Sequence, residues 1–373
     1  MSGGLSSLVV SKWLTDQGIE TLNFIADIGQ VDQVKPGALA DLLGSKGMSS
    51  QVVDLRADMA DMALELVRYQ ATYEGDYWNT TGASRAVLVK GLARSMKEQG
   101  CTVLAHGCVG GGNDQARFER YTRALAPDLE VFVPWQDPDL LGRFPSRAAM
   151  AESLRAAGLL DEDQDKANYS TDANLAGVSH EGTALEDLRT PSTAARPLLG
   201  VWPQQAPDAI ESVRIRFEQG RAVELNGRRV TPLECLMTAN QVAGRNGLWM
   251  QDVLENRVNG TKCRGVYESP GLTLLGHGFR RLYQAVVEKQ AAQLYESLSP
   301  LVGRQVYEGR YLEVASRAAC AALDVVTEHV TGTVEVGLYK GNVFFHALTD
   351  FTPSPNASRQ TRFSGGGHFW QTR

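Results

Sequence analysis

No stretch of this sequence approaches the ~20 consecutive apolar residues that span a bilayer, and no basic segment leads into an apolar one at its start. Both features argue against membrane insertion and secretion. Cysteine is scarce and scattered. Cys101, Cys108, Cys235, Cys263 and Cys320 form no CxxC pair, so neither a disulfide framework nor a zinc site is indicated, and reduced thiols in a cytoplasm are expected. The six histidines are dispersed too, and no metal site is expected. Positive charge is not in excess: the net charge of -6 argues against general nucleic-acid binding, which needs a basic face for phosphates. No GK[ST] follows a glycine-rich stretch, so there is no Walker A loop.

What remains is an ordinary globular composition, 43% hydrophobic and 21% charged, over 373 residues, enough for two domains with a sizeable core. Apolar spacings of three and four predict helices over 5–16, 38–44, 59–70, 84–100 and 113–125. Between them, apolar runs at 21–26, 50–55, 101–107 and 129–134 read as buried strands. Strands alternating with helices imply an α/β fold with a doubly wound parallel sheet, whose ligands gather at the carboxyl ends of the strands. The character changes near residue 160, where a polar run to 174 reads as a loop or domain junction. Domains over 1–165 and 166–373 follow. The second is expected to be α+β, with a hairpin from 210, long helices at about 270–297 and 311–329, and a hairpin over 333–348 turning at Lys340, Gly341 and Asn342. The tail reads as extended, anchored by Phe369 and Trp370.

Four polar stretches stand out against this frame. Ser2, Gly3 and Gly4 precede the first helix, where backbone N–H groups and the helix N-terminus favour a phosphate. The glycines at 107 and 110–112 end at Asn113 and Asp114, a natural helix start with Arg117 on the next turn. Their entropic cost suggests that a polyanion or carboxylate comes close to the chain there. The segment 169–182 reads as a loop offering Ser170, Asp172, Ser179 and Glu181, and 254–271 offers Glu255, Arg257 and Tyr267. Singly, each side chain would suit a cap or a solvated charge. Together they suit the walls of a polar pocket between two domains.

In this order the stretches resemble the argininosuccinate synthase family, whose pattern is SGGLDTS, HGxTGKGNDQxRFE, YSxDxNLxGxSHE and ENRxxGxKSRGxYExPG. Here they stand at 2–7, 106–119, 169–181 and 255–271, and the segments at 134–135, 215–227 and 308–314 fit the bacterial branch. The resemblance implies a PP-loop nucleotide-binding domain, of the adenine nucleotide alpha hydrolase kind, followed by a C-terminal synthetase and oligomerisation domain. It implies an ATP-dependent ligase that adenylates the ureido oxygen of citrulline and then lets the amine of aspartate displace AMP. Mg²⁺ is expected with the ATP, held largely through phosphates and water.

By the same resemblance, Tyr77, Asn113, Arg117, Ser170, Ser179, Glu181, Glu255 and Tyr267 match positions that line citrulline. Arg117 is implied for its carboxylate, Glu181 and Glu255 for its α-amine. Ser2, Gly3, Gly4, Ser6, Ser7, Ala26, Gly107, Asp114 and Asp172 match the ATP side, and Val109, Asn113 and Asp114 the aspartate side. On the ATP and aspartate sides three departures bear on the substrates: Ser6 replaces an aspartate, Val109 a threonine and Gly111 a lysine. Three readings stay open, namely ordinary synthase activity with Thr81 or backbone groups filling in, the same adenylation with another amine, and a paralogue that binds without turnover. A homo-oligomer is implied, though the helix with which the family's tetramer clasps its neighbours has no match in the tail. Phosphate loops of this kind follow a central strand and only Met1 precedes this one, so translation is expected to begin upstream. An intact mass matching Met1–Arg373 would overturn that expectation.

Overall fold

The computed structural model describes residues 1–160 and 170–352. The expected junction at 161–169, with Tyr169, and the aromatic anchor of the tail lie outside the described residues. From the start of the chain, α1 (Leu5–Asp16) leads to β1 (Asn23–Asp27), α2 (Pro36–Ser45), β2 (Ser50–Asp54) and α3 (Arg56–Tyr69). Next come α4 (Thr80–Glu98), β3 (Val103–Ala105), α5 (Asn113–Leu125) and β4 (Glu130–Phe132), and then the short α6 (Pro138–Arg143) and α7 (Arg147–Ala156). Strand and helix alternate as expected. β1 pairs with β2 and β3 with β4, each in parallel register. Among the described residues the two pairs are separate two-stranded sheets, and each strand is shorter than or offset from the apolar run that announced it. With one partner apiece, these strands end where that partner's carbonyls and N–H groups end.

Two apolar clusters divide the molecule. α1 lays Leu8, Val9 and Trp13 against Leu43, Leu140 and Leu154. The larger cluster joins α3 and the buried face of α4 to the second half through Met59, Leu66, Phe217, Leu275, Phe279 and Leu323. That half contains β5 (Ser170–Asn174), β6 (Gly177–Glu181), the single turn α8 (Thr183–Glu186), β7 (Glu211–Glu218), β8 (Arg221–Leu225), β9 (Arg228–Arg229) and α9 (Pro232–Arg245). It continues with β10 (Met250–Asn256), β11 (Lys262–Glu268), α10 (Pro270–Val286), α11 (Lys289–Tyr307), α12 (Val314–Thr327), β12 (Gly332–Tyr339) and β13 (Asn342–Thr349).

One sheet runs β10-β11-β6-β5 and the other β13-β12-β7-β8-β9. Both expected hairpins form. Lys340 and Gly341 sit at φ 44° and 80°, the left-handed pair that a two-residue turn between twisted strands requires. Two expectations fail. The helix expected over 270–297 breaks at Val287 and Glu288, whose extended backbones redirect the chain into α11 although no proline or glycine marks the bend. The loop expected over 169–182 is the β5–β6 hairpin, with Leu175 N–H bonded to the Ile28 carbonyl at its turn.

Candidate active site

The β5–β6–β11–β10 sheet supplies the floor. Pleating sends alternate residues to one face. Ser170 and Asp172 of β5 stand opposite Glu181 and Ser179 of β6, and Ser179 stands opposite Tyr267 of β11. Cys263, also on β11, stands opposite Glu255 of β10. All of these side chains therefore share one face. Gly265 shares it as well, between Cys263 and Tyr267. A Cβ there would lie 2.2 Å from the Tyr267 hydroxyl. Its absence lets the Tyr267 ring lie along the strand and donate to Glu255 Oε2 at 2.9 Å. Tyr77 stacks on the other side of that ring, at 3.8 Å between centroids.

α5 and α4 form the wall above the floor. Arg117 of α5 donates from Nη1 to Asp114 Oδ1 at 2.9 Å. Arg85 of α4 donates to Asp114 Oδ2 at 2.8 Å and also reaches Asp172. One guanidinium thus bridges a carboxylate on each half of the molecule. Burial opposes ionisation of Asp114, but Arg85 and Arg117 outweigh it and hold the carboxyl well below its usual range. At Asp172 burial wins: with Asp114 also pushing the same way, its carboxyl is raised despite Arg85. Burial, with the Glu255 charge nearby, lifts Glu181 to about 7.

On the opposite edge lies the phosphate loop. Gly3 takes φ 79° and Gly4 caps α1 through its backbone alone, with no acidic side chain in the first turn. Ser2 and Ser7 hydroxyls lie 3.2 Å apart, and Ser7 donates to the Gly4 carbonyl at 3.0 Å. Gly107 presses on this turn so closely that a Cβ would meet Ser7 Cα at 2.8 Å. Ala26 is buried in β1, behind the loop. Ser6 makes no side-chain hydrogen bond to another described residue.

The glycine loop is the open part. Val109 is 59% exposed, and Gly111, at φ 79°, has nothing within 4 Å of where a Cβ would stand. Thr81 is buried and gives its N–H to the Tyr77 hydroxyl at 3.1 Å, while its own Oγ1 has no partner among the described residues. Its backbone N–H is therefore committed to Tyr77, and its hydroxyl is not. Two cavities, of about 310 and 350 Å³, lie elsewhere, and neither is lined by any of the expected substrate residues.

Two family models cover most of the chain. One, described as the arginosuccinate synthase N-terminal HUP domain, matches residues 1–150, and the other, the arginosuccinate synthase C-terminal domain, matches residues 169–350. The chain belongs to the argininosuccinate synthase family. An argininosuccinate synthase of Psychrobacter sp. (strain PRwf-1) is 37% identical over 348 residues, covering 92% of this chain and 83% of its own length. The protein of the same name from Helicobacter hepaticus is 36% identical, covering 92% and 85%. That of Rhodopirellula baltica is 34% identical over 375 residues, covering 99% and 92%. The family's members are carbon–nitrogen ligases that use ATP. No helix among the described residues is long and apolar enough to cross a membrane.

Among the site residues not singled out from the sequence are two that tie distant parts of the chain together, Arg85 and Tyr307. Arg85 sits in an amphipathic helix, where an arginine reads as solvated surface. Tyr307, the last residue of α11, touches Asn113, Arg117 and Glu255. Its only sequence signal is its place beside the EGRYLEV segment. Both contacts are long-range, and helical periodicity reports only which face is buried.

Proposed function

We propose that this protein joins citrulline to aspartate at the expense of ATP, giving argininosuccinate, AMP and pyrophosphate. The observation that carries this reading is the paired cation and anion of the site. Buried Arg117 suits an α-carboxylate, and Glu255 and Glu181 suit an α-ammonium, on a face also lined by Ser170 and Ser179. A zwitterionic head group bound there leaves the rest of the substrate to reach toward the phosphate loop.

In the first step the ureido oxygen attacks the α-phosphorus of ATP and pyrophosphate leaves. In the second, the amine of aspartate attacks the ureido carbon, AMP departs with the oxygen, and the amine gives up its proton. A urea is a poor electrophile, and adenylation turns its oxygen into a leaving group. The chain's contribution is positioning and charge stabilisation. Backbone N–H groups of the 2–7 turn and the α1 N-terminus bind phosphates, and Ser2 and Ser7 add hydroxyls. Mg²⁺ fits as an ion carried on those phosphates and on water. Among the described residues no cluster of three His, Cys, Asp or Glu side chains would cage it.

Val109 favours one second reading. An exposed isopropyl group offers no hydrogen bond to the aspartate side chain that a threonine there would hold, so an amine other than aspartate is the alternative. Pyrophosphate release with ATP, Mg²⁺ and citrulline, with and without aspartate, separates the two. Aspartate-dependent turnover to argininosuccinate is expected. Adenylation that ignores aspartate, together with a large gain in aspartate use on Val109→Thr with Gly111→Lys, would install the other amine. No pyrophosphate under any condition would remove both readings and leave a binding paralogue.

A further inference from the structure

Glu255 and Arg117 come from elements far apart in the chain, and neither touches the other. What lies between them is Tyr307. Its hydroxyl donates to Glu255 Oε1 at 2.6 Å and accepts from Asn113 Nδ2 at 2.9 Å. Its backbone carbonyl accepts from Arg117 Nε at 2.7 Å, and its ring faces the same guanidinium at 4.9 Å. The ring is itself fixed, being 1% exposed and stacked on Tyr73 at 3.8 Å. At Gly309, φ 74°, a Cβ would meet Arg117 Cα at 2.8 Å, so only glycine lets this stretch lie against α5. Gly82 likewise admits the Val306 carbonyl against α4.

We propose that Tyr307 is a positioning residue for the α-amino acid head group: through its hydroxyl and its carbonyl it sets the spacing between the anion and the cation that grip the substrate. The proposal rests on the function proposed above and deepens it. It makes recognition of both charged groups depend on a side chain that the substrate does not touch. Glu255 already accepts the Tyr267 and Tyr307 phenols, one on each oxygen, and a carboxylate retains lone pairs for an ammonium. Removing the Tyr307 hydroxyl leaves Glu255 Oε1 with only the weak Cys263 thiol, at 3.5 Å, and leaves Asn113 Nδ2 without its acceptor.

The test is direct binding by calorimetry to the full chain and to Tyr307→Phe. The ligands are citrulline, 5-ureidopentanoate (which lacks only the α-amine) and ATP. The wild type should bind citrulline well above 5-ureidopentanoate. In Tyr307→Phe citrulline should weaken tenfold or more, the gap between the two ureido ligands should shrink by a similar factor, and ATP affinity should stay within twofold. Unchanged citrulline affinity, or an equal loss for all three ligands, would overturn the proposal and leave Tyr307 a packing residue. Should the variant fail to fold, Tyr73→Phe, which keeps the stack and the Tyr307 hydroxyl, must retain wild-type discrimination; its loss there would also overturn the assignment. A wild type that binds no citrulline at all would instead remove the proposed function itself.

Discussion

At the scale of single residues, Glu181 faces two demands that conflict. To hold an ammonium it must be ionised, yet burial and Glu255 raise it to about 7. The sign of the consequence is fixed by the protonation state. Below about pH 7 the carboxyl is neutral and attracts the substrate amine less, so citrulline KM should rise as pH falls from 8 to 6, while KM for ATP moves less. The same raised value makes the folded chain hold this proton more tightly than the unfolded one. Its effect on stability is therefore unfavourable above the unfolded value of about 4.5 and grows until the folded value is passed. Glu181→Gln should gain about 1–3 kcal/mol of stability at pH 8 relative to pH 5 and lose most citrulline affinity. A citrulline KM that is flat across pH 6 to 8 would dissociate Glu181 from the amine.

At the scale of elements, the site is a sheet face whose polarity conceals it. A strand with one buried face ordinarily alternates apolar and polar residues, and β7 does so. β5 reads STDAN, with Ser170 and Asp172 where a strand of a packed core would carry valine or isoleucine. A propensity argument therefore takes it for a loop. Helices α1, α3 and α5 were legible because their inner faces touch core. β3 and β4 were legible in existence and overlong in extent. The motifs made Glu255 and Tyr267 legible as members of the site, but their hydrogen bond depends on Gly265 three-dimensionally, through a ring that crosses it. Gly265→Ala should drive that ring off Glu255. Citrulline KM should rise tenfold or more and stability fall by about 1–3 kcal/mol, since Tyr77 blocks the ring's retreat. Kinetics and thermal unfolding of the variant check this, and wild-type kinetics would show that the ring's position is immaterial.

At the scale of the whole molecule, α4 is the axis on which both halves are hung. Its start is tied to the β5–β6 hairpin by Asn174, which donates to the Thr80 carbonyl at 3.1 Å. Its next turn carries Arg85 between Asp114 of α5 and Asp172 of β5. These two carboxylates share Arg85, and Arg117 is bound to Asp114 alone. Replacing Arg85 with methionine removes the bridge and leaves two half-buried acids, of which only Asp114 keeps a cation, Arg117. Loss of one partner from a fully buried ionic network costs about 3–5 kcal/mol; with both carboxylates more than a quarter exposed the cost here is smaller, and it must depend on pH. Without Arg85, ionisation of Asp172 beside Asp114 becomes harder, so the folded state of the variant binds a proton that the unfolded state has released at neutral pH. Stability of Arg85→Met should consequently fall steadily as pH rises from 5 to 8, by more than the wild type's over the same interval. Lysine, a point charge with no fork, should recover only part of the loss. Thermal unfolding midpoints of the three proteins across that interval decide the matter: parallel profiles would mean that Arg85 is packed between the halves without bridging their charges.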